Sequence, residues 1–195
     1  MELTSGLLIA AKHHVLRGVL AASTGQVLTA KTMLEAAQHE AIDAEQLDSS
    51  SIEAMTTRLV ATTYLARVVD QSSTTPSTVL AELNELAEKF PADTTVWMAQ
   101  AQVYSLDRRW PEARAAIERA IALQPDAPLF YWTRGIIAVG AGNCAAAAED
   151  FGTARRIAGQ RSSALGFEEP PQCISRIDKS ASANKADVQG IVLTL

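Results

Sequence analysis

The sequence predicts an all-α fold, and three observations support this prediction. Apolar residues recur three or four positions apart along most of the chain, which is the spacing of one face of an α-helix. Apolar residues make up 48% of the composition and aromatic residues only 5%, so alanine and aliphatic side chains must build the core. Most prolines fall in short gaps between the periodic segments, where they end or begin helices.

The periodic segments predict eight α-helices with short connections, a pattern typical of antiparallel neighbours. Their approximate spans are residues 3–22, 24–42, 51–69, 76–90, 94–106, 111–123, 128–140 and 143–157. From about residue 162 the helical period is lost. Residues 162–195 are therefore predicted to be an irregular C-terminal tail, which ends on the strand-like run Ile191–Leu193.

Residues at the segment boundaries support several of these helix starts. Ser23 with Gln26, and Ser50 with Glu53, are spaced like a capping box, in which two side chains satisfy the first free amide groups of a helix. Pro76 fits a first helical turn because the amide hydrogen that proline lacks is not needed there.

The most specific pattern is a 34-residue repeat. One copy consists of Trp97, Ala101, Tyr104, Ala113, Ile117, Ala120 and Pro125. The second copy consists of Tyr131, Gly135, Ala138, Ala147, Phe151, Ala154 and Gly159. Small residues mostly match small ones and bulky residues match bulky ones. This pattern predicts two similar helical hairpins, because helices approach closely only where side chains are short and larger side chains fill the gap beside them.

Over residues 94–161 the chain resembles the tetratricopeptide repeat (TPR) family, whose unit has this same length. The resemblance implies an all-α, right-handed superhelical array of helical hairpins, followed here by the irregular tail. Gln100 and Arg134 depart from the family pattern, which has leucine there, and Ala138 replaces an aromatic residue. A looser second unit is therefore expected.

The resemblance implies one helical repeat domain over residues 1–161. Its expected parts are N-terminal capping helices or a diverged unit at 1–48, a degenerate unit at 51–93, and matching units at 94–127 and 128–161. The unit at 51–93 is called degenerate because Arg67 stands where a small residue is expected and because the linker at 70–75 is lengthened.

In the TPR family the first helix of each unit lines a concave groove. Carried over by register, this groove would contain Tyr64, Val68, Met98, Gln102, Trp132, Ile136 and Val139. These residues recur at helical spacing and so share a face. The resemblance therefore implies a groove that binds an apolar or amphipathic segment of a protein partner, with Trp132 as the anchor.

A second interpretation stays open for the apolar members of this set, which we call the strip: Tyr64, Val68, Met98, Trp132, Ile136 and Val139. A soluble monomer rarely leaves such a strip exposed to water, so the strip could instead pack against the N-terminal helices or the C-terminal tail. The run Ile191–Leu193 fits both interpretations if it occupies the groove until a partner displaces it.

Composition and charge restrict the partners. The net charge of −5, with arginines interleaved among acidic residues, argues against nucleic-acid binding. No segment approaches the roughly 20 apolar residues that span a bilayer, so no membrane insertion is expected. We expect a protein or peptide partner, with a homodimer as a further possibility. A cytoplasmic location is expected, or a periplasmic one if a signal or anchor was removed.

No sequence motif of a common enzyme is present, so we expect no catalytic residue, no cofactor and no metal ligand. Glu35, His39 and Asp43 lie four apart on one helix face, and a solvated face is favoured there over a metal site. Cys144 and Cys173 are either two reduced thiols or one disulfide that ties the tail to the last helix.

These observations predict a non-catalytic adaptor or scaffold. One alternative is a secretion-type chaperone that shields apolar segments of exported proteins. Another is an envelope-assembly component of a bacterial secretion, pilus or cytochrome biogenesis system, with which the alanine-rich composition agrees.

Overall fold

The structure is a computed structural model, and it describes residues 2–69 and 75–159, which form eight α-helices and no strand. The helices are α1 (Glu2–Ser23), α2 (Val27–Leu47), α3 (Ile52–Val69), α4 (Ser77–Lys89), α5 (Thr94–Leu106), α6 (Trp110–Leu123), α7 (Pro128–Gly140) and α8 (Cys144–Ala158). The all-α prediction is confirmed over these residues. The predicted tail at 162–195 lies outside the described residues, and so does Cys173, on which the question of cysteine pairing depends.

Both predicted capping boxes are wrong. Ser23 is the last residue of α1, and its hydroxyl donates to the carbonyl oxygen of Leu20 at 2.7 Å. The N-cap residue of α2 is Gln26, whose side chain makes no capping hydrogen bond. The cap of α3 lies one residue later than predicted, since the hydroxyl of Ser51 accepts the amide of Ala54 at 3.2 Å. A serine hydroxyl can bind either to a preceding carbonyl or to a following amide, and the spacing alone does not show which one it binds.

The predicted starts of α5 and α8 are confirmed by side-chain caps. The carboxylate of Asp93 accepts the amide of Thr95 at 2.7 Å. The side-chain oxygen of Asn143 accepts the amide of Ala146 at 3.2 Å. Each cap satisfies a backbone donor that the helix itself cannot pair, which typically stabilises a helix by about 1 kcal/mol.

Three hairpins, α1–α2, α5–α6 and α7–α8, share one three-residue turn. The middle residue of each turn has a positive φ, which is 80° at Gly25, 57° at Arg108 and 77° at Gly142. The next amide donates back to a carbonyl oxygen of the preceding helix, at 2.9 Å for Gln26, 2.9 Å for Arg109 and 2.8 Å for Asn143. Such a bond satisfies a carbonyl at the helix end, so all three hairpins close in the same way.

In two of these hairpins a glycine lies against a large side chain of the paired helix. A methyl group added at Gly135 would lie 2.7 Å from Cε1 of Phe151, and one added at Gly18 would lie 2.7 Å from Cγ of Leu34. Both distances are shorter than a carbon–carbon contact, so no larger residue fits without movement of its neighbour.

Gly18, Ala101 and Gly135 each lie seven positions before the positive-φ residue of their turn. The hairpin α1–α2 therefore has the same register of turn and small residue as the two matching units. This equivalence was not predicted, because the interval from Gly25 to Arg108 is not a whole number of repeat lengths.

The hairpin α3–α4 is built differently. Arg67 donates from Nη2 to the carbonyl oxygen of Leu106 and, at 2.8 Å, to Oδ1 of Asp107. The same carboxylate oxygen accepts the amide of Thr75 at 2.8 Å and its hydroxyl at 2.7 Å. Only 8% of the Asp107 side chain is exposed. At the position where a small residue was expected, a largely buried ion pair thus connects α3 to the end of α5.

The two residues that replace leucine also bind polar partners. Gln100 donates from Nε2 to the carbonyl oxygen of Leu83 at 3.2 Å and to Oδ1 of Asn84 at 3.1 Å. Arg134 donates to both carboxylate oxygens of Asp150, at 2.6 Å from Nη2 and 3.0 Å from Nε. The hydrogen bonds to this carboxylate raise the pKa of Arg134. Both polar side chains are therefore satisfied within the stack.

The helices α1, α3, α5 and α7, which we call the first helices, form one row. Within it α1 contacts α3, α3 contacts α5, and α5 contacts α7. The other helices pack against this row, with α2 on α1 and α3, α4 on α3 and α5, and α6 on α5 and α7. One face of four consecutive first helices is thereby placed side by side.

Candidate partner-binding groove

A cavity of about 130 Å³ lies among the first helices, and we call its lining the groove. All four first helices contribute to its lining, which consists of Lys12, Val15, Thr56, Thr57, Val60, Thr95, Met98, Ala99, Gln102 and Leu129. Apolar and polar side chains are equally represented. Such a lining can take up an apolar group and also hydrogen-bond to a ligand backbone.

Side-chain contacts join neighbouring first helices beside this groove. The hydroxyl of Thr133 on α7 donates to the sulfur of Met98 on α5, at 3.7 Å. On the rim, Lys12 of α1 forms an ion pair with Glu53 of α3. Two side chains of the lining, Met98 and Lys12, are therefore held by contacts to a neighbouring first helix.

Two of the seven predicted groove residues, Met98 and Gln102, line the cavity. They lie one helical turn apart on α5 and are 9% and 5% exposed. The remaining five are placed elsewhere. Three of these, Val68, Ile136 and Val139, are half-buried and pack at the edges of hydrophobic clusters.

Tyr64 and Trp132 are buried within two separate clusters. Tyr64 packs with core residues of α1 to α5. Trp132 packs with residues of α8, and its ring centroid lies 4.6 Å from that of Phe151. Tyr64 thus packs in part against the N-terminal helices, whereas Trp132 packs against α8. Binding of a partner by either residue stays a prediction.

The hydroxyl of Tyr64 is buried and has no hydrogen-bond partner among the described residues. Burial raises the pKa of this phenol, because the charged form would lose its hydration. A buried hydroxyl without a partner destabilises the fold. Tyr64 therefore contributes to the core through its ring rather than through its polar end.

Part of the groove was not predicted from the sequence. Thr95 and Leu129 are one repeat length apart and line the cavity from equivalent places on α5 and α7, so the repeat register could have identified both. The α3 side, which includes Val60, could not be found in this way. Counting back by one repeat length crosses the linker from 70 to 76, which is longer than the three-residue turns of the other hairpins.

A second, open hollow of about 530 Å³ lies between α6, α7 and α8. Its most buried charged residues, Arg134 and Asp150, bind each other. It is lined mainly by one end of the stack rather than by the whole row. Across residues 2–69 and 75–159, no three His, Cys, Asp or Glu side chains are grouped so that they could hold a metal ion.

Comparisons of the chain with protein-family models, curated proteins and solved structures give no match. None of the helices in the described part of the chain is both long and apolar enough to cross a membrane. Over the described residues the structure therefore defines an all-α fold with a cavity among its first helices.

Proposed function

We propose that this chain is a non-catalytic protein-interaction module of the TPR type. In this proposal the groove along the first helices binds an apolar or amphipathic segment of a partner protein, and the hairpins form a right-handed superhelical array. One observation carries the proposal, namely that α1, α3, α5 and α7 all contribute to one groove.

The shared geometry of three hairpins supports the TPR assignment. Each has the same turn and a small residue at the same distance from it. Stacked units of one kind create an extended surface to which every unit contributes one helix, and such surfaces commonly bind polypeptides. The hairpin α1–α2 extends this similarity beyond residues 94–161.

The lining indicates what kind of segment would bind. Met98 is a flexible and polarisable side chain that adapts to different apolar groups. Thr95 and Gln102 contribute polar side chains to the same lining. The small cavity suits one large apolar side chain of a partner, whose full burial stabilises a complex by about 1.5–3 kcal/mol.

A blocking variant tests this proposal. Peptides are selected from a display library on the purified protein, and their affinity is then measured by fluorescence anisotropy. In Thr95→Trp an indole would fill the cavity, so we expect the Kd to rise by about tenfold or more, which corresponds to about 1.4 kcal/mol.

A matched control is available in Thr78→Trp. Thr78 is the second residue of α4, as Thr95 is of α5, but it is exposed and does not line the groove. We expect its affinity to equal that of the wild type, with circular dichroism showing that both variants are folded. Equal affinity in both variants, or a selection that yields no peptide, would contradict the proposal.

A further inference from the structure

The cavity among the first helices contains a hydroxyl group that is largely buried and has no hydrogen-bond partner. Thr57 of α3 belongs to the lining and is only 8% exposed. No described residue forms a hydrogen bond with its hydroxyl group. The hydroxyl of Tyr64 lacks a partner as well, but it is enclosed in the core. Buried polar groups normally have a partner, so the hydroxyl of Thr57 marks a place where a ligand can supply one.

Two other threonines of α3 show the usual alternative. The hydroxyl of Thr56 donates to two carbonyl oxygens of the preceding turn, at 2.9 and 3.1 Å. The hydroxyl of Thr63 donates to the carbonyl oxygen of Leu59 at 2.9 Å. A threonine within a helix can satisfy its own hydroxyl in this way. Thr57 does not, and its hydroxyl is therefore available to a group that enters the cavity.

The volume of the cavity limits what can enter it. The cavity measures about 130 Å³, whereas pockets for whole drug-sized ligands measure about 300–1,000 Å³. A cavity of roughly 150 Å³ takes up one benzene ring. The cavity therefore fits one side chain with a single six-membered ring, and the two fused rings of an indole are too large for it.

The lining favours a neutral ring with one polar tip. Val15 and Val60 provide apolar walls. Lys12 is the charged residue of the lining and already pairs with Glu53, so a charged side chain would be buried there without a counter-ion. A phenylalanine ring would leave Thr57 unpaired. A tyrosine combines an apolar ring with a hydroxyl that can donate and accept, as the hydroxyl of Thr57 can.

The tyrosines of this chain do not fill the cavity. Residues 1–195 contain three, Tyr64, Tyr104 and Tyr131, and none of them belongs to the lining. Tyr64 lies in the core, and the hydroxyls of the other two donate to the side chain of Asn84 and to the carbonyl oxygen of Pro125. A phenol ring in the cavity must consequently come from outside residues 1–195.

From the free hydroxyl, the volume and the neutral lining, we propose that the cavity binds a single phenol ring whose hydroxyl pairs with Thr57. This inference rests on the proposed function, in which the ring is the tyrosine side chain of the partner segment. The ring would also contact Met98, since a thioether packs favourably against aromatic rings. The partner would thus be recognised by a tyrosine rather than by a purely apolar residue.

The test uses p-cresol, the side-chain analogue of tyrosine, and toluene, the analogue of phenylalanine. With ¹³C-methyl-labelled methionine in the full chain, p-cresol should shift the Met98 signal saturably and leave Met33, which lies outside the lining, unchanged. Thr57→Val removes the hydroxyl and keeps the shape of the side chain. We expect it to raise the Kd for p-cresol by about fivefold and to leave the Kd for toluene unchanged or lower.

Thr63→Val is the matched control, because Thr63 is a buried threonine of the same helix that does not line the cavity. We expect it to leave the Kd of both probes unchanged within a factor of about two. Thermal unfolding provides a second readout. The midpoint of Thr57→Val should equal that of the wild type, because no hydrogen bond to a described residue is lost. A clearly lower midpoint would show that the hydroxyl has a partner inside the protein and would overturn the proposal.

The peptides selected in the blocking test extend this measurement to a protein segment. We expect them to contain a tyrosine whose replacement by phenylalanine raises the Kd for the wild type by about fivefold. The same replacement should change the Kd for Thr57→Val by less than about twofold, because that variant has no hydroxyl to pair with the phenol.

Three results would overturn the proposal. These are no saturable shift of Met98 by p-cresol, an equal change for p-cresol and toluene in Thr57→Val, or selected peptides whose affinity does not depend on a tyrosine. The proposed function can fail separately. If Thr95→Trp blocks peptides that need no tyrosine, the proposed function stands and the phenol site does not. If p-cresol binds as expected but the selection yields no peptide, the phenol site stands and the proposed function does not.

Discussion

The hairpins α7–α8 and α3–α4 use opposite chemistry where a count of 34 residues along the sequence predicts a small residue. In α7 this position is Gly135, which lets α7 approach the ring of Phe151 on α8. In α3 it is Arg67, which pairs with Asp107 at the end of α5. The glycine therefore fixes a helix to its own hairpin partner, while the arginine fixes a helix to the next hairpin.

The comparison shows how a degenerate unit can remain part of the stack. A glycine at a close contact needs no partner group and depends only on the shape of the neighbouring side chain. A buried cation is stable only while every partner is present, because an unpaired buried charge loses its hydration without compensation. The two hairpins should consequently respond to substitutions by different mechanisms and by different amounts.

The largest effect is expected for Asp107→Ala. This change removes the carboxylate that binds Arg67 and accepts both the amide and the hydroxyl of Thr75. We expect the free energy of unfolding in urea to fall by about 3–5 kcal/mol, the usual result of breaking a buried pair. The exposed Asp126→Ala is the control and should change it by less than about 0.5 kcal/mol.

A second substitution identifies the cause of that loss. If the unpaired charge is responsible, Arg67→Met combined with Asp107→Ala should be more stable than Asp107→Ala alone, because an apolar side chain replaces the buried cation. If the loss of stability in the double variant equals the sum of the losses in Arg67→Met and in Asp107→Ala, the ion pair does not connect α3 to α5 in the way described.

An intermediate effect is expected for Gly135→Ala. The added methyl group would lie 2.7 Å from Phe151, so the ring must move, which we expect to cost about 1–3 kcal/mol. Adding Phe151→Ile recreates the pair Ala101 and Ile117 of α5–α6 and should restore much of the loss. Thermal unfolding of the three variants measures this, and a double variant no better than Gly135→Ala would contradict the equivalence of the two hairpins.

A smaller effect is expected in the turn of α7–α8. Gly142 has a φ of 77°, a conformation that costs an alanine about 1–2 kcal/mol, so Gly142→Ala should lower the midpoint of thermal unfolding. A methyl group added at Gly152, within α8, would meet nothing within 4 Å beyond its own helix backbone, and Gly152→Ala should raise the midpoint by removing backbone freedom. If Gly142→Ala and Gly152→Ala shift the midpoint of thermal unfolding in the same direction, this would argue against the shared turn.

The smallest effect near neutral pH is expected for Tyr64→Phe, which lies one turn before Arg67. Because the hydroxyl is buried without a partner, its removal should leave stability unchanged or raise it by up to about 1 kcal/mol. Burial raises the pKa of Tyr64, so the wild type should lose stability as the pH rises above about 10, where the unfolded phenol ionises.

The phenylalanine variant lacks this pH-dependent contribution, so the difference between it and the wild type should increase above that pH. Urea unfolding at several pH values measures the difference. A Tyr64→Phe variant that is clearly less stable at neutral pH would show that the hydroxyl has a partner and that α3 packs otherwise than described.

Local patterns explain what could be predicted from the sequence. Gly135 and Phe151 contact each other within one repeat, so a comparison of successive repeats was sufficient to pair their helices. Asp107, the partner of Arg67, lies 40 residues later in the sequence, at the end of α5. The periodicity of apolar residues contains no information about such an ion pair. The α1 and α3 sides of the groove were not predicted because the register passes through linkers of unequal length.

The most direct measurement of the central claim uses the methionine methyl groups of the protein. Met98 lines the groove, whereas Met33 lies on α2, outside its lining. With ¹³C-methyl-labelled methionine, a peptide selected on the protein should shift or broaden the Met98 signal and leave the Met33 signal unchanged. A peptide that binds with full affinity, moves Met33 and leaves Met98 unaffected would contradict binding along the first helices.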